Sequence, residues 1–373
     1  MNTFLPFTRP TIDDDTIADV IAVLRSGWIT SGPKVQALEQ ALGAYLGGER
    51  IIRTMTSATG GLEMALRAFG VQPGDEVIVP ALSFAASANV VVRTGATPVF
   101  VDVDLRSRNA TAQAMAAAIT PRTRVLMPVH FSGLACNMDA ILTLAQTHGL
   151  RVLEDAAHAI GTRYQGRLIG SFGDVASFSF HANKNMTTVE GGALSFADQT
   201  LTQAIDQERF HGIRKDTAGN IDVVSAGGKY NLTDVAAAVG IGQLRRLDEF
   251  NQTRRALAHH YFSRLSAHLE PDQLPATGDD GHSWHMFAIL LPWTQLGFSR
   301  DIFIQKMKDQ NIGIGIHYPC IPGLTYYRQQ GFNPAAYPNA QQIGAQTVTL
   351  PLFPAMTVAD VDRVCDALLG LIQ

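Results

Sequence analysis

Ser177-Phe-Ser-Phe-His-Ala-Asn-Lys184-Asn-Met-Thr-Thr-Val-Glu-Gly-Gly192 runs from an apolar strand through a lysine to a second strand. Val175 to Phe180 is apolar and rich in β-formers, and it carries Lys184 to the edge of a core. Glu190-Gly191-Gly192 starts the second strand, Ala193 to Phe196. A lysine held at such an edge is partly desolvated, which lowers its pKa toward neutrality. A neutral amine attacks an aldehyde and forms a Schiff base. Alone, Lys184 would read as a solvated loop residue, because perturbed groups are the minority. Three other strand ends change that reading.

In Val152-Leu153-Glu154-Asp155-Ala156-Ala157-His158 a short buried strand, Leu150 to Leu153, ends in acids. Ligands of open α/β sheets collect at the carboxyl ends of strands. A carboxylate such as Asp155 beside a pyridine nitrogen keeps it protonated and makes the ring an electron sink. His158 shares a face with Asp155 if the segment is helical. The plainer reading makes Asp155 a helix cap. Met55-Thr56-Ser57-Ala58-Thr59-Gly60-Gly61 joins the strand Ile51–Thr54 to a helix, Gly61 to Phe69. Its small residues let backbone N–H groups face an anion at the helix start, and Ser57 and Thr59 add hydroxyls. No Gly-Lys-Ser follows, so this is not a Walker loop. Pro80-Ala-Leu-Ser-Phe84 follows the strand Glu76–Val79. Phe84 is placed to lie on a planar heterocycle, although an isolated aromatic is more often core. Anion cradle, aromatic plate, carboxylate and amine are the four requirements of pyridoxal 5′-phosphate (PLP).

At this point the chain resembles the DegT/StrS-type sugar aminotransferases, of PLP fold type I. The resemblance spans Ser26–Lys34, Pro73–Pro80, Gly95–Asp104, Pro128–His130, Glu154–Ala159, Ser177–Gly192, Lys229–Asp234, Gly315–Pro319 and Leu350–Pro354. The runs Ser-Phe-His-Ala-Asn-Lys-Asn and Lys-Tyr-Asn-Leu-Thr-Asp are closest in style to UDP-4-amino-4-deoxy-L-arabinose–oxoglutarate aminotransferases. The resemblance implies that Lys184 holds the cofactor aldehyde and shuttles the proton. It makes Asp155 the partner of the ring nitrogen, places His158 near the ring oxygen and sets Phe84 over the ring. Ser57, Ala58, Thr59 and Ser179 fall on the phosphate site; many relatives carry Gly where Ala58 stands. Lys229 and Asn231 match a loop that reaches the phosphate of the neighbouring subunit, so a homodimer with shared active sites is implied. Relatives there often read Asn-Tyr-Arg, which leaves open whether Lys229 or Asn231 makes the contact. Trp28, Thr30 and His317 fall in segments that face the sugar. Dehydratases of this family replace the lysine with histidine; here Lys184 is kept and His181 lies three places before it.

Alternation of strand and helix from Ile51 to Phe180 predicts a mostly parallel seven-stranded sheet flanked by helices. Helices are expected at Asp13–Arg25 and Val35–Leu46 and in one long stretch from Asp234 to about Leu265. A smaller C-terminal α/β domain follows, with strands His285–Leu291 and Ile312–Ile316 and helices Arg300–Gln310 and Val358–Leu369. The division is 1–245 for the large domain and 246–373 for the bridging helix and small domain. The net charge of −4, without a basic run, gives no footprint for nucleic acid. Cys136, Cys320 and Cys365 offer no metal spacing and suit a reducing cytoplasm. Neither a signal peptide nor a membrane span is evident.

Three functional readings follow. The favoured one moves the amino group of glutamate, which leaves as 2-oxoglutarate, to a nucleotide-linked keto sugar, at C4. The second is another fold-type-I PLP enzyme, such as an aminocyclitol transaminase or a sugar dehydratase. The third is a non-catalytic PLP- or sugar-binding regulator.

Overall fold

The computed structural model describes residues 3–278 and 281–372. Two helices open the chain, α1 (Asp14–Ser26) and α2 (Pro33–Tyr45). Asp13 starts α1 by accepting from the Thr16 amide at 2.9 Å, and Gly27, at φ 74°, ends it in the left-handed region. Seven strands then build one sheet: β1 (Ile51–Met55), β2 (Glu76–Pro80), β3 (Thr97–Val101), β4 (Thr123–Leu126), β5 (Arg151–Asp155), β6 (Val175–Ser179) and β7 (Gly192–Phe196). Their spatial order is β1-β7-β6-β5-β4-β2-β3. β7 pairs antiparallel with both β1 and β6, and the remaining pairs are parallel. Every residue of β2, β6 and β7 is buried, so these strands show no apolar–polar alternation, and their polar members, Glu76, Ser177, Ser179 and Ser195, are buried with the rest.

Helices cover both faces. On one, α3 (Ala58–Ala68) and α4 (Ala86–Arg93) close a core around Leu62, Leu66, Val77, Val79 and Val90. On the other, α2 and a helix at Met138–His148 pack with Leu38, Leu42, Ile141, Val152 and Phe178. A third core gathers Tyr261, Phe287, Phe303, Val348 and Leu368 around a two-stranded ribbon, Phe287–Leu290 against Thr347–Leu350. Leu5 belongs to this third core. Its backbone bonds Asn311 and Gly313, the Phe7 carbonyl accepts from Leu352, and the Phe7 ring lies 5.5 Å from that of His317.

Three local expectations are corrected. The stretch after Asp234 is two helices, Asp234–Arg245 and Leu247–Leu265, because the chain bends at Arg246 (φ −109°, ψ 2°). Ile312–Ile316 is not a strand; it makes single bridges from Ile312 to Leu5 and from Gly315 to Thr349. Gly313 sits where an added Cβ would lie 3.0 Å from the Phe7 amide, so close backbone packing replaces a ladder there. Asp155 to His158 is a turn rather than a helix, and Asp155 accepts from the Ala157 amide at 3.2 Å. Among the described residues no helix is long and apolar enough to cross a membrane.

Candidate active site

Four parallel strands, β1, β2, β5 and β6, deliver their carboxyl ends to one cavity of about 360 Å³. That volume lies within the roughly 300–1,000 Å³ of small-molecule sites. Ser57, Ala58, Thr59, Phe84, Asp155, His158, Ser179, Lys184 and His317 all line it. The strand ends named from the sequence therefore converge.

At one end, Ser57 caps α3 by accepting from the Gly60 amide at 3.1 Å, so the helix starts at Ala58, three residues earlier than expected. A glycine is needed nearby, though not at position 58. A Cβ on Gly192 would lie 2.5 Å from the Ala58 nitrogen and 2.7 Å from the Phe178 carbonyl. Strand β7 thus presses on the back of the helix start, while the front, with Ser57, Thr59 and Ser179, faces the cavity. Helix-start N–H groups and hydroxyls of this kind suit a phosphate.

The floor is Asp155. Ser87 donates to its Oδ2 at 2.7 Å, and Ser87 is itself linked to Ser83 at 2.8 Å. Burial pushes the Asp155 carboxyl above its usual range, while Ser87, the Ala157 amide and the charge of Lys184 pull it back. Beneath it, His130 accepts from the Cys136 amide at Nδ1 (3.0 Å), so its proton sits on Nε2 and goes to Glu154 (3.0 Å). Phe84 is 58% exposed within the cavity mouth, its ring 5.6 Å from that of Tyr318. A large aromatic left open beside a carboxylate floor is a plate for a planar ring.

Lys184 sits on the wall, and burial lowers its amine to about 8. The imidazoles around it are pushed the same way. Burial, then Lys184, brings His317 to about 4, and burial, Lys184 and His317 hold His158 well below 6.5. Both stay neutral at physiological pH, so Lys184 is not one of a cluster of cations. The Tyr318 hydroxyl lies 3.3 Å from His158 Nε2, and burial raises its pKa, so it remains a donor. His158 Nδ1 is buried without a partner among the described residues. Such an orphan costs roughly 1–3 kcal/mol. A ligand oxygen would satisfy it.

Cradle, floor, plate, amine and orphan imidazole together fit PLP. Trp28, Thr30, Lys229 and Asn231 do not line this cavity. They form a separate surface cluster in which Asn231 donates to the Ser31 hydroxyl (2.6 Å), Ser31 donates to the Leu232 carbonyl (2.6 Å) and the Asp234 amide donates to Thr30 (3.0 Å). Lys229 bonds Asn231 and lies 4.9 Å over the Phe210 ring. Trp28 lies across Gly32, where a Cβ would meet its indole nitrogen at 1.8 Å, and donates to the Ser31 carbonyl at 3.2 Å. Sequence reasoning passed over Tyr318, Ser83, Ser87, His181 and Glu190. The first follows His317 in a quoted motif, and the two serines stand four apart around Phe84, a spacing that signals contact on one helical turn.

Comparison with known proteins agrees with this geometry. Residues 10–369 match the family model of the DegT/DnrJ/EryC1/StrS aminotransferases. The spore coat polysaccharide biosynthesis protein SpsC of Bacillus subtilis is 40% identical, over 100% of this chain and 98% of its own. A sugar aminotransferase of Streptococcus pneumoniae, solved in its PMP form, superposes with a TM-score of 0.92 at 31% identity, covering 99% of this chain and 97% of that one. The same protein has been solved with PLP. PseC of Helicobacter pylori, an aminotransferase involved in the biosynthesis of pseudoaminic acid, gives a TM-score of 0.91 at 27% identity, covering 99% of each chain. With PLP fold type I as its architecture, the chain belongs to the DegT/DnrJ/EryC1/StrS family of PLP-dependent aminotransferases.

Proposed function

We propose that this enzyme moves the amino group of glutamate to a nucleotide-linked keto sugar, at C4, with a UDP- or dTDP-linked sugar as the acceptor class. The observation that carries the reading is Lys184, a single amine lowered to about 8 and set opposite Asp155 in a cavity with an anion cradle at one end. PLP, when bound, supplies an electron sink that makes the donor's α-proton acidic. The chain's residues do the rest. Ser57, Ala58, Thr59 and Ser179 hold the phosphate, Phe84 covers the ring, and Asp155 keeps the ring nitrogen protonated. His158, with Tyr318 at its Nε2, bonds the ring oxygen. Lys184 tethers the cofactor at rest, and its freed amine then takes the α-proton from the donor and returns it as a general acid.

The relatives named for sugar biosynthesis support the acceptor class. His317, neutral and on the cavity wall, faces the sugar. Trp28 and Thr30, with Lys229 and Asn231, lie outside their own cavity and serve the site of a second copy; a two-fold dimer follows. The test is a two-stage reaction. Glutamate converts the holoenzyme to its amino form with a change in absorbance, and a panel of keto-sugar nucleotides, keto-cyclitols and keto acids is then offered. Reoxidation by 2-oxoglutarate but by no sugar or cyclitol would overturn the acceptor assignment.

A further inference from the structure

Asn185, the residue after Lys184, is held on three sides. Its amide donates to Asn251 Oδ1 at 2.7 Å and to the Ser283 carbonyl at 2.8 Å. Asn251 is oriented in turn by its bond to the Ile160 carbonyl at 3.3 Å. With both amide protons used, Asn185 Oδ1 is an acceptor, and it faces His285 Nδ1 at 3.1 Å. His285 is therefore the Nδ1–H tautomer. Its ring packs against that of His158, centroids 4.6 Å apart and tilted by 32°. All four side chains, Asn185, Asn251, His158 and His285, are buried. One imidazole thus touches both the anchor of the lysine loop and the ring expected beside the cofactor, yet it does not line the cavity.

We propose that His285 is a positioning residue for transamination: through Asn185 it fixes the loop that presents Lys184. This rests on Lys184 being the working amine. An apolar ring in its place would leave Asn185 Oδ1 buried and unsatisfied, removing one of the three bonds that hold Asn185 and loosening the loop. The loop's other tethers are backbone bonds, from the Lys184 amide to His181 and from the Thr188 amide to Phe180, and side-chain bonds from the Thr187 hydroxyl to the Phe180 carbonyl (3.0 Å) and between His181 and Asn183 (2.8 Å). None of these reaches Asn185, which follows the lysine directly. Asp155, His158, His285 and His317 are the titratable groups that face the Lys184 amine, and Arg254 faces His285 from the Leu247–Leu265 helix.

The experiment compares full-length Lys184→Ala, His285→Phe, His285→Asn and His285→Gln. An asparagine amide falls where Nδ1 stands, and a glutamine amide falls near Nε2. Two quantities are read: kcat and KM in the holoenzyme, and the pH midpoint of Lys184 carbamylation by cyanate in the PLP-free chain. His285→Phe and His285→Gln should lose about 30-fold in kcat with little change in KM. Their carbamylation midpoint should rise by about one unit as the amine regains solvent. His285→Asn should recover to within about threefold, with the midpoint unmoved. The asparagine–glutamine pair decides the matter even where the phenylalanine variant does not fold. Equal losses in Asn and Gln variants, or an unmoved midpoint in all three, would overturn the proposal. Turnover in Lys184→Ala would overturn the reading of the site and the positioning role with it.

Discussion

Lys184 carries a cost before any ligand binds. Burial lowers its amine from 10.5 to about 8. Below about pH 8 the lysine is protonated in both folded and unfolded chains, so the desolvation cost is fully present. Between about 8 and 10.5 the unfolded chain binds more protons, and stability from this group rises with pH; above that range the cost is gone. Lys184→Met should therefore stabilise the PLP-free chain at pH 7 by about 1–3 kcal/mol, a gain that fades by pH 10.5. Urea denaturation at both pH values checks it, and no gain at pH 7 would mean the amine is solvated. Asp155 tests the other side of the cavity. Asp155→Ala should still take up PLP through the phosphate cradle and Lys184, but kcat should fall by about 10²–10³. Near-normal turnover would move the ring-nitrogen partner elsewhere.

Among the elements, α2 depends on a residue 200 positions away. Its cap position is Gly32, which has no side chain to accept a bond. Asp234 accepts instead from the amides of Gly32 (2.8 Å), Lys34 (3.1 Å) and Val35 (2.9 Å). Asp234→Ala should cost about 2 kcal/mol and free the Trp28–Ser31 loop. Denaturation would show the loss, and faster amide exchange at Gly32 to Val35 would locate it; unchanged exchange would refute the cap. Such long-range supports explain what the sequence left illegible. Lys184, Asp155, Ser57 and Phe84 could be read because each closes or follows its own strand, and strand ends converge in an open parallel sheet. His285 and Asn251 could not, because their meeting with Asn185 depends on how separate elements pack. Ile312–Ile316 looked like a strand from its isoleucines, but Gly313 lets the backbone of Pro6 and Phe7 press close there, and Gly315 leaves room for the side chains of His317 and Phe7. The helix break at Arg246 carries neither glycine nor proline, so no local signal marked it.

For the whole molecule, the proposed shared site makes a prediction that no single-chain argument can imitate. Lys184→Ala lacks its amine, and a Lys229→Ala/Asn231→Ala double variant lacks the reaching loop. Each homodimer should lose activity. Mixed dimers should regain it, because one of their two sites inherits both defects and the other inherits neither. Co-expression with two different affinity tags isolates the mixed species. Inactive mixed dimers would place Lys229 and Asn231 in service of their own chain.

The docking of Leu5 and Phe7 onto the third core has a consequence for how the purified enzyme ages. These residues bond Asn311, Gly313 and Leu352, and the Phe7 ring abuts His317. A contaminating protease that clips just ahead of Thr8 would leave every cavity-lining side chain in place. It would nevertheless strip the support from the segment that ends in His317 and Tyr318. Batches stored for different times would then differ in apparent substrate affinity. Intact mass is therefore the first thing to check when two preparations disagree.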